Sequence, residues 1–318
     1  MSNVIAITTH NRAELLKLNL IQLARDDMIY EHKVRVYVNE GFNEEVCDVI
    51  DWFIDYMPDI DIAIRIQNKQ KCPLPGYHNI LNTYALAANE SDEYVIIGEE
   101  DIIPTDDYIR FNREVYYKFL KKYERIFCVA HKRRPETELH GHPEILIGDT
   151  QCTSPTCISV KSIKKYMVPI FERQNFWLDP VSYNNTYHRD SRIPPNVMVH
   201  HDGQIERIIE LNELFALKPD QARTMHVGLS GIHCQGDEPQ GTLNERLEQY
   251  KILIEEGGDA LRARAGNPQD IVAIPLDGPL WSNLRLDTER TQACASSWWY
   301  DPENKFKEYI DVVASIWD

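Results

Sequence analysis

Short apolar runs alternate with amphipathic stretches through the first hundred residues. Val4 to Thr9 is a short apolar run, as expected of a buried strand. Ala13 to Ala24 places Leu15, Leu16, Leu20 and Leu23 near helical spacing. Val34 to Val38 is rich in β-formers and closes on Asn39-Glu40-Gly41, a turn signal. Glu44 to Met57 reads as a helix stopped by Pro58, and Ile60 to Ile66 alternates apolar and polar residues as a strand does. Pro73-Leu74-Pro75-Gly76 breaks the chain, Tyr77 to Asn89 predicts a helix, and Tyr94 to Ile97 predicts another buried strand.

This βαβαβαβ order predicts an α/β fold, a mostly parallel sheet flanked by helices. Such sheets bind ligands at the carboxyl ends of their strands. The loops after Thr9, Val38 and Ile97 should share one edge, bringing together Thr8, Thr9, Asn11, Arg12, Asn39, Glu40, Glu99, Glu100 and Asp101. The remainder is less regular. Ile126 to Ala130 predicts a strand, Val160 to Met167 a short helix, and Ile205 to Leu214 a helix after Asp202-Gly203. Phe176 to Val199 has no clear period and reads as a long loop. Thr242 to Glu256 and Pro302 to Trp317 predict amphipathic helices. The expected division is a catalytic domain over 1–235, split near 125/126 into two halves, and a helical C-terminal extension over 236–318.

Composition narrows the class. At 318 residues and 43% hydrophobic content the chain can bury one large core, with or without an appendage. No basic, apolar leader precedes Val4, and no apolar run reaches the roughly 18–20 residues of a membrane span. The expectation is a soluble, cytoplasmic protein with no membrane partner. The 7 cysteines form no Cys-x-x-Cys pair, which argues against a disulfide framework or structural zinc. A net charge of -16 opposes general nucleic-acid binding; the basic runs at 132–134 and 161–165 read as solvated faces.

Glu99-Glu100-Asp101 then stands out. Three acids directly after a buried strand are costly unless a positive charge sits among them, and a hard divalent cation with oxygen ligands suits that place; taken alone, the triplet also reads as an ordinary solvated acidic turn. On an extended backbone Glu99 and Asp101 would point the same way, one toward a metal and one toward a ribose or metal-bound water. A metal bridging a diphosphate would neutralise charge on a leaving nucleoside diphosphate.

The order Val4-Ile5-Ala6-Ile7-Thr8-Thr9-His10-Asn11-Arg12, then Tyr94-Val95-Ile96-Ile97-Gly98-Glu99-Glu100-Asp101, resembles the GT-A (Rossmann-like) glycosyltransferases, with Glu in place of the first Asp of their D-x-D motif. Four segments are similar to the N-acetylglucosaminyltransferase I family: Asn11-Arg12; Val38-Asn39-Glu40-Gly41 with Asn43-Glu44-Glu45; Glu99-Glu100-Asp101 through Asp107-Tyr108; and Pro219 to Gly228 around Arg223-Thr224-Met225. The resemblance implies a UDP-sugar donor, Mn²⁺ (or Mg²⁺) and inversion at the anomeric carbon. It implies Asp101 on the metal, Glu100 on the ribose, Glu99 in support, and Arg12 and Glu40 on the base. Thr8, Thr9 and Asn11 belong to the donor loop. His78, on the helix facing the donor, is a candidate for the uracil or diphosphate, and otherwise an ordinary helix-face residue.

An inverting transfer needs a carboxylate to take the acceptor proton. Asp202, at a predicted helix start, and Asp179, in Phe176-Trp177-Leu178-Asp179, are the two candidates, with Asp202 favoured; as a helix cap Asp202 also has an ordinary explanation. His226 is a candidate metal or diphosphate ligand, although the family lacks His at that place. The Gly-rich 228–231 stretch is a candidate lid, and Trp298-Trp299-Tyr300 reads as packing of the C-terminal helix. The acceptor hydroxyl stays open among glycan, small molecule, protein and a hydroxymethylated DNA base, the last as in phage enzymes. The alternatives are a nucleotidyltransferase, disfavoured because Thr8 to Glu14 has no glycine, and a non-catalytic sugar- or nucleotide-binding module.

Overall fold

The computed structural model describes residues 2–68, 75–104, 107–130, 145–148, 155–171, 201–212, 214–219, 224–226 and 284–286. The first part alternates as its apolar pattern requires: β1 (Asn3–Thr9), α1 (Ala13–Leu23), β2 (His32–Val38), α2 (Glu44–Tyr56), β3 (Asp61–Ile66), α3 (Pro75–Glu90) and β4 (Tyr94–Glu99). A short strand β5 (Ile102–Pro104) and helix α4 (Tyr108–Val115) follow, the helix continuing through a π-helical turn, Tyr116–Leu120. Then come β6 (Ile126–Ala130), β7 (Ile145–Gly148), β8 (Pro155–Ser159), a helical run over 160–171 (α5), α6 (His201–Leu211), β9 (Phe215–Pro219), β10 (Thr224–His226) and β11 (Leu284–Leu286).

One nine-stranded sheet carries the order β11-β7-β9-β6-β8-β4-β1-β2-β3. Its β4-β1-β2-β3 half is wholly parallel, with Thr8 beside Glu99 and Thr9 beside Val38. The other half is mixed: β8 runs antiparallel to both β4 and β6, while β6 and β9 are parallel. A separate two-stranded antiparallel sheet joins β10 to β5.

Every residue of β1 is buried, so its alternate side chains serve two cores. Ile5 and Ile7 pack with Leu16, Leu20, Val46, Phe53 and Phe111 on the face covered by α1, α2 and α4. Val4 and Ala6 pack with Leu81, Tyr84, Ile163 and Ile205 on the face covered by α3, α5 and α6. The result is a three-layer α/β fold of Rossmann-like type. Side-chain caps set the starts of two helices. Asn43 caps α2, accepting from the Val46 amide at 3.0 Å. Asp26 accepts from the amides of Ile109 and Arg110 at 2.9 and 3.0 Å, capping α4 from across the chain because Asp107 makes no such bond.

Several elements differ from the expectation. The helix expected over Ile205 to Leu214 begins at His201 and ends at Leu211, which makes Asp202 the second residue of the helix rather than its cap. Strands β5, β7, β8 and β9 had no clear periodic signal, being 3 to 5 residues long. Leu284–Leu286, within the span expected to be helical, pairs parallel with β7. The expected loop over 176–199, the helices over 242–256 and 302–317, and the 228–231 stretch lie outside the described residues. Among the described residues, no helix is long and apolar enough to cross a membrane.

Candidate functional site at the sheet switch point

From β1 the chain winds outward to β2 and β3, then returns to place β4 on the other side of β1. Strand order therefore reverses between β1 and β4, and the loops leaving these two strands diverge around a crevice at their carboxyl ends. That is where open parallel sheets bind ligands. The first loop delivers Arg12; the second is Glu99-Glu100-Asp101.

The acidic residues do not continue the strand. Glu99 ends β4, and Glu100 and Asp101 form a turn, so the expected same-side placement of Glu99 and Asp101 on an extended backbone does not hold. The Glu100 amide donates to the Thr8 carbonyl at 3.0 Å, tying the turn to the end of β1. Glu100 and Asp101 are each only 4% exposed. Two adjacent carboxylates at such depth need a cation, and Arg12 supplies one. Its Nε donates to Glu100 Oε1 at 2.8 Å and its NH1 lies 2.8 Å from Asp101 Oδ2. Burial alone would weaken the guanidinium's hold on its proton, but the two carboxylates more than compensate and raise its pKa. Glu100 is pulled both ways. Burial raises it, Arg12 opposes, and Asp101 and Glu99 add repulsion, leaving it at about 7. The upward direction follows first from burial, which disfavours the charged carboxylate, with repulsion from Asp101 and Glu99 adding to it.

The main chain of the turn is gripped from α1. Asn19 Nδ2 donates to the carbonyls of Glu99 at 3.1 Å and Ile102 at 2.6 Å, bracketing the acid pair. Asn19 lies in the apolar stripe of α1, with Leu15, Leu16, Leu20 and Leu23, and is 2% exposed. A polar residue at that phase of the helix was the available signal, and the sequence reading missed it. Tyr108, at the start of α4, donates its hydroxyl to the Ile97 carbonyl at 3.1 Å and steadies β4 from the other side.

Two distant segments converge on the same turn. β10 pairs His226 opposite Ile102, the residue after Asp101. The first residue of α6, His201, brings Nε2 to 3.9 Å from Glu99 Oε1. Asp202 follows it in the helix, so the favoured base candidate belongs to an element that reaches the site. Asp179 lies outside the described residues.

The end of β2 forms the neighbouring rim. The Asn39 amide donates to the Thr9 carbonyl at 2.7 Å, and Glu40 adopts the left-handed region with φ 63°. That conformation is uncommon for a residue with a Cβ and marks a constrained turn. Gly41 follows with φ 116°, which L side chains rarely adopt. Gln67, just past β3, binds this rim to α3: its Nε2 donates to Asn39 Oδ1, the Asn79 carbonyl and Thr83 Oγ1 at 3.3, 3.1 and 2.9 Å. Gln67 was also absent from the sequence reading; a single amide in a polar stretch carries no periodic signal. His78, in the first turn of α3, is half-buried, and that burial lowers its pKa. Thr8 and Thr9 are buried and Asn11 is exposed. The Thr9 hydroxyl has no hydrogen-bond partner among the described residues.

The structure thus gathers Thr8, Thr9, Asn11, Arg12, Glu99, Glu100 and Asp101 at the β1–β4 crevice, and Glu40 on the adjoining rim. Arg12, expected on a base with Glu40, has its guanidinium on the acids. Among the described residues no three metal-ligating side chains converge on one point. The donor set still suits a hard divalent cation: Glu100 and Asp101 offer carboxylate oxygens, and Mg²⁺-type ions take one or two protein carboxylates, completing their sphere with phosphate and water.

The fold and site define an α/β protein with an acidic crevice at a sheet switch point. The sequence matches no protein-family profile and no curated protein. Among solved structures it is similar to the mannosyltransferase PcManGT from Pyrobaculum calidifontis in complex with GDP-Man and Mn²⁺. That likeness has 13% identity and a TM-score of 0.45, covering 83% of this chain and 73% of that one. It is also similar to S. aureus TarS 1-349 in complex with UDP-GlcNAc, at 12% identity and TM-score 0.43, covering 79% of this chain and 66% of that one.

Proposed function

We propose that this chain is an inverting glycosyltransferase that moves a sugar from a UDP-sugar to an acceptor hydroxyl with the help of Mn²⁺ or Mg²⁺. The observation that carries this reading is the buried Glu100–Asp101 pair at the switch point, held together by Arg12. Asp101 is the proposed metal ligand, Glu100 the proposed ribose contact, and Glu99 supports the turn. Thr8, Thr9, Asn11, Glu40 and His78 are the proposed nucleotide rim, and His226 a supplementary ligand. When bound, the metal stabilises the charge that grows on the departing diphosphate.

In this scheme the acceptor oxygen attacks the anomeric carbon from the face opposite the diphosphate. The carbon–oxygen bond to the diphosphate breaks, and its electron pair leaves with UDP. The acceptor proton passes to a carboxylate, assigned to Asp202. That assignment is supported by the contact of the preceding residue, His201, with Glu99. Asp179 is the second candidate.

A thermal-shift panel of nucleoside diphosphates and UDP-sugars, with and without Mn²⁺, tests the proposal. Ligand at 100-fold above its Kd should add about 2.7 kcal/mol of stability. The absence of a metal-dependent shift with every nucleotide would overturn it. Release of pyrophosphate from a nucleoside triphosphate would instead identify a nucleotidyltransferase.

A further inference from the structure

Arg12 competes for the atoms that the proposed cation needs. Its fork engages Asp101 Oδ2 and Glu100 Oε1 at 2.8 Å each. An Mg²⁺-type ion binds oxygen at about 2.0–2.1 Å, so ion and guanidinium on the same oxygens would be like charges in contact. The three side chains also differ in exposure. The carboxylates are 5% exposed on a turn held by Thr8 and Asn19, whereas the Arg12 side chain is 23% exposed. If one partner moves, it is the arginine. A diphosphate is a suitable destination, since guanidinium pairs bidentately with phosphate as readily as with carboxylate.

We infer that Arg12 is a latch on the acidic turn: its guanidinium holds Glu100 and the metal ligand Asp101 until a donor diphosphate draws it away, so that metal and nucleotide bind cooperatively. The latch rests on the donor-site reading above and deepens it. Without nucleotide, only molecules with Arg12 swung out accept the ion, and apparent metal affinity falls by the open fraction. With nucleotide, Arg12 exchanges its carboxylate partners for phosphate oxygens and leaves Asp101 to the cation. The guanidinium keeps the acid pair compensated in the meantime, which a vacant pair at that depth requires. Arg12 is in this sense a positioning residue, acting on the site's metal affinity through Asp101.

Isothermal titration of the full chain with Mn²⁺ alone, and with Mn²⁺ in saturating UDP, tests this. Wild type should bind Mn²⁺ weakly alone and much more tightly with UDP. Arg12→Met should bind Mn²⁺ alone about tenfold or more tighter than wild type. The enhancement by UDP should shrink accordingly, by reciprocity of the coupling. Because removing the guanidinium leaves two buried acids uncompensated, the double variant R12M/E100Q is run beside it; it carries one charge fewer and should show the same gain. Unchanged or weaker Mn²⁺ binding in the folded variants, with wild type still binding UDP and Mn²⁺, would overturn the latch and leave the donor site standing. Failure of wild type to bind UDP with Mn²⁺ at all would overturn both.

Discussion

Glu90 sits where α3 ends against β2 and β3, and its carboxylate is shared by two arginines. Oε2 accepts from Arg35 Nε at 2.8 Å; Arg65 donates from Nε to Oε1 at 2.8 Å and from NH2 to Oε2 at 2.7 Å. These bonds, led by those from Arg65, hold its pKa at about 2 against an ordinary 4.5. The shift corresponds to about 3 kcal/mol at most. Glu90 is 27% and Arg65 39% exposed, so solvent screening reduces it to about 2 kcal/mol. The folded-state pKa is depressed, so this stability is fully present above pH 4.5 and is lost as pH falls toward about 2. Glu90→Gln should therefore unfold more easily than wild type at pH 7, with the gap narrowing by about 1 kcal/mol on acidification to about pH 3.5. Thermal unfolding of both proteins across that range measures it. A gap that stays constant or widens with acid would refute the pairing as a source of stability. Nucleotide binding by folded Glu90→Gln should match wild type, because no described contact joins Glu90 to the β1–β4 crevice.

Other variants separate support from chemistry. Asn19→Leu removes the bonds to the Glu99 and Ile102 carbonyls, the second of them buried, at about 0.5–1.5 kcal/mol each, partly offset by the apolar side chain. It should lower both the melting temperature and UDP–Mn²⁺ affinity; loss of stability with full affinity would show that the turn holds without it. Asp101→Asn should abolish the metal-dependent part of the UDP thermal shift while leaving the protein folded, and persistence of that shift would remove Asp101 from the metal. Asp202→Asn and Asp179→Asn should differ: turnover falls at least about 100-fold in the first with donor binding intact, and wild-type turnover there would transfer the base role to Asp179. Glu40→Gly relieves a left-handed residue and should stabilise the chain by up to about 1 kcal/mol. It should also weaken UDP binding, and unchanged affinity would take Glu40 off the nucleotide rim.

The parallel half of the sheet was legible because each of its strands is a fully apolar or alternating run between helices of clear period. The shared edge follows from that order alone, which puts Arg12 and Glu99-Glu100-Asp101 at the ends of neighbouring strands. What the pattern could not convey was partnership. Charge at the end of a strand says that a cation is needed, but not that Arg12, 88 residues earlier, supplies one. Asn19 was hidden for the opposite reason: one amide on an apolar helix face changes the period too little to register. The short strands β5 and β10 depend on pairing with each other across more than a hundred residues, and neither has an amphipathic signature of its own.

Asn19 and Arg12 are carried by the same helix and its cap, two turns apart, and both hold the acidic turn, one by its main chain and one by its side chains. Little ordering entropy is therefore left to lose in the turn itself when a ligand arrives. On the proposed latch, the slow step that many enzymes place in a closing loop, on microsecond to millisecond timescales, would fall at these residues to rotation of a single side chain. Capture of the nucleotide at this edge would then proceed at close to the rate of encounter, and variants that loosen the turn should show themselves first in the rate of association.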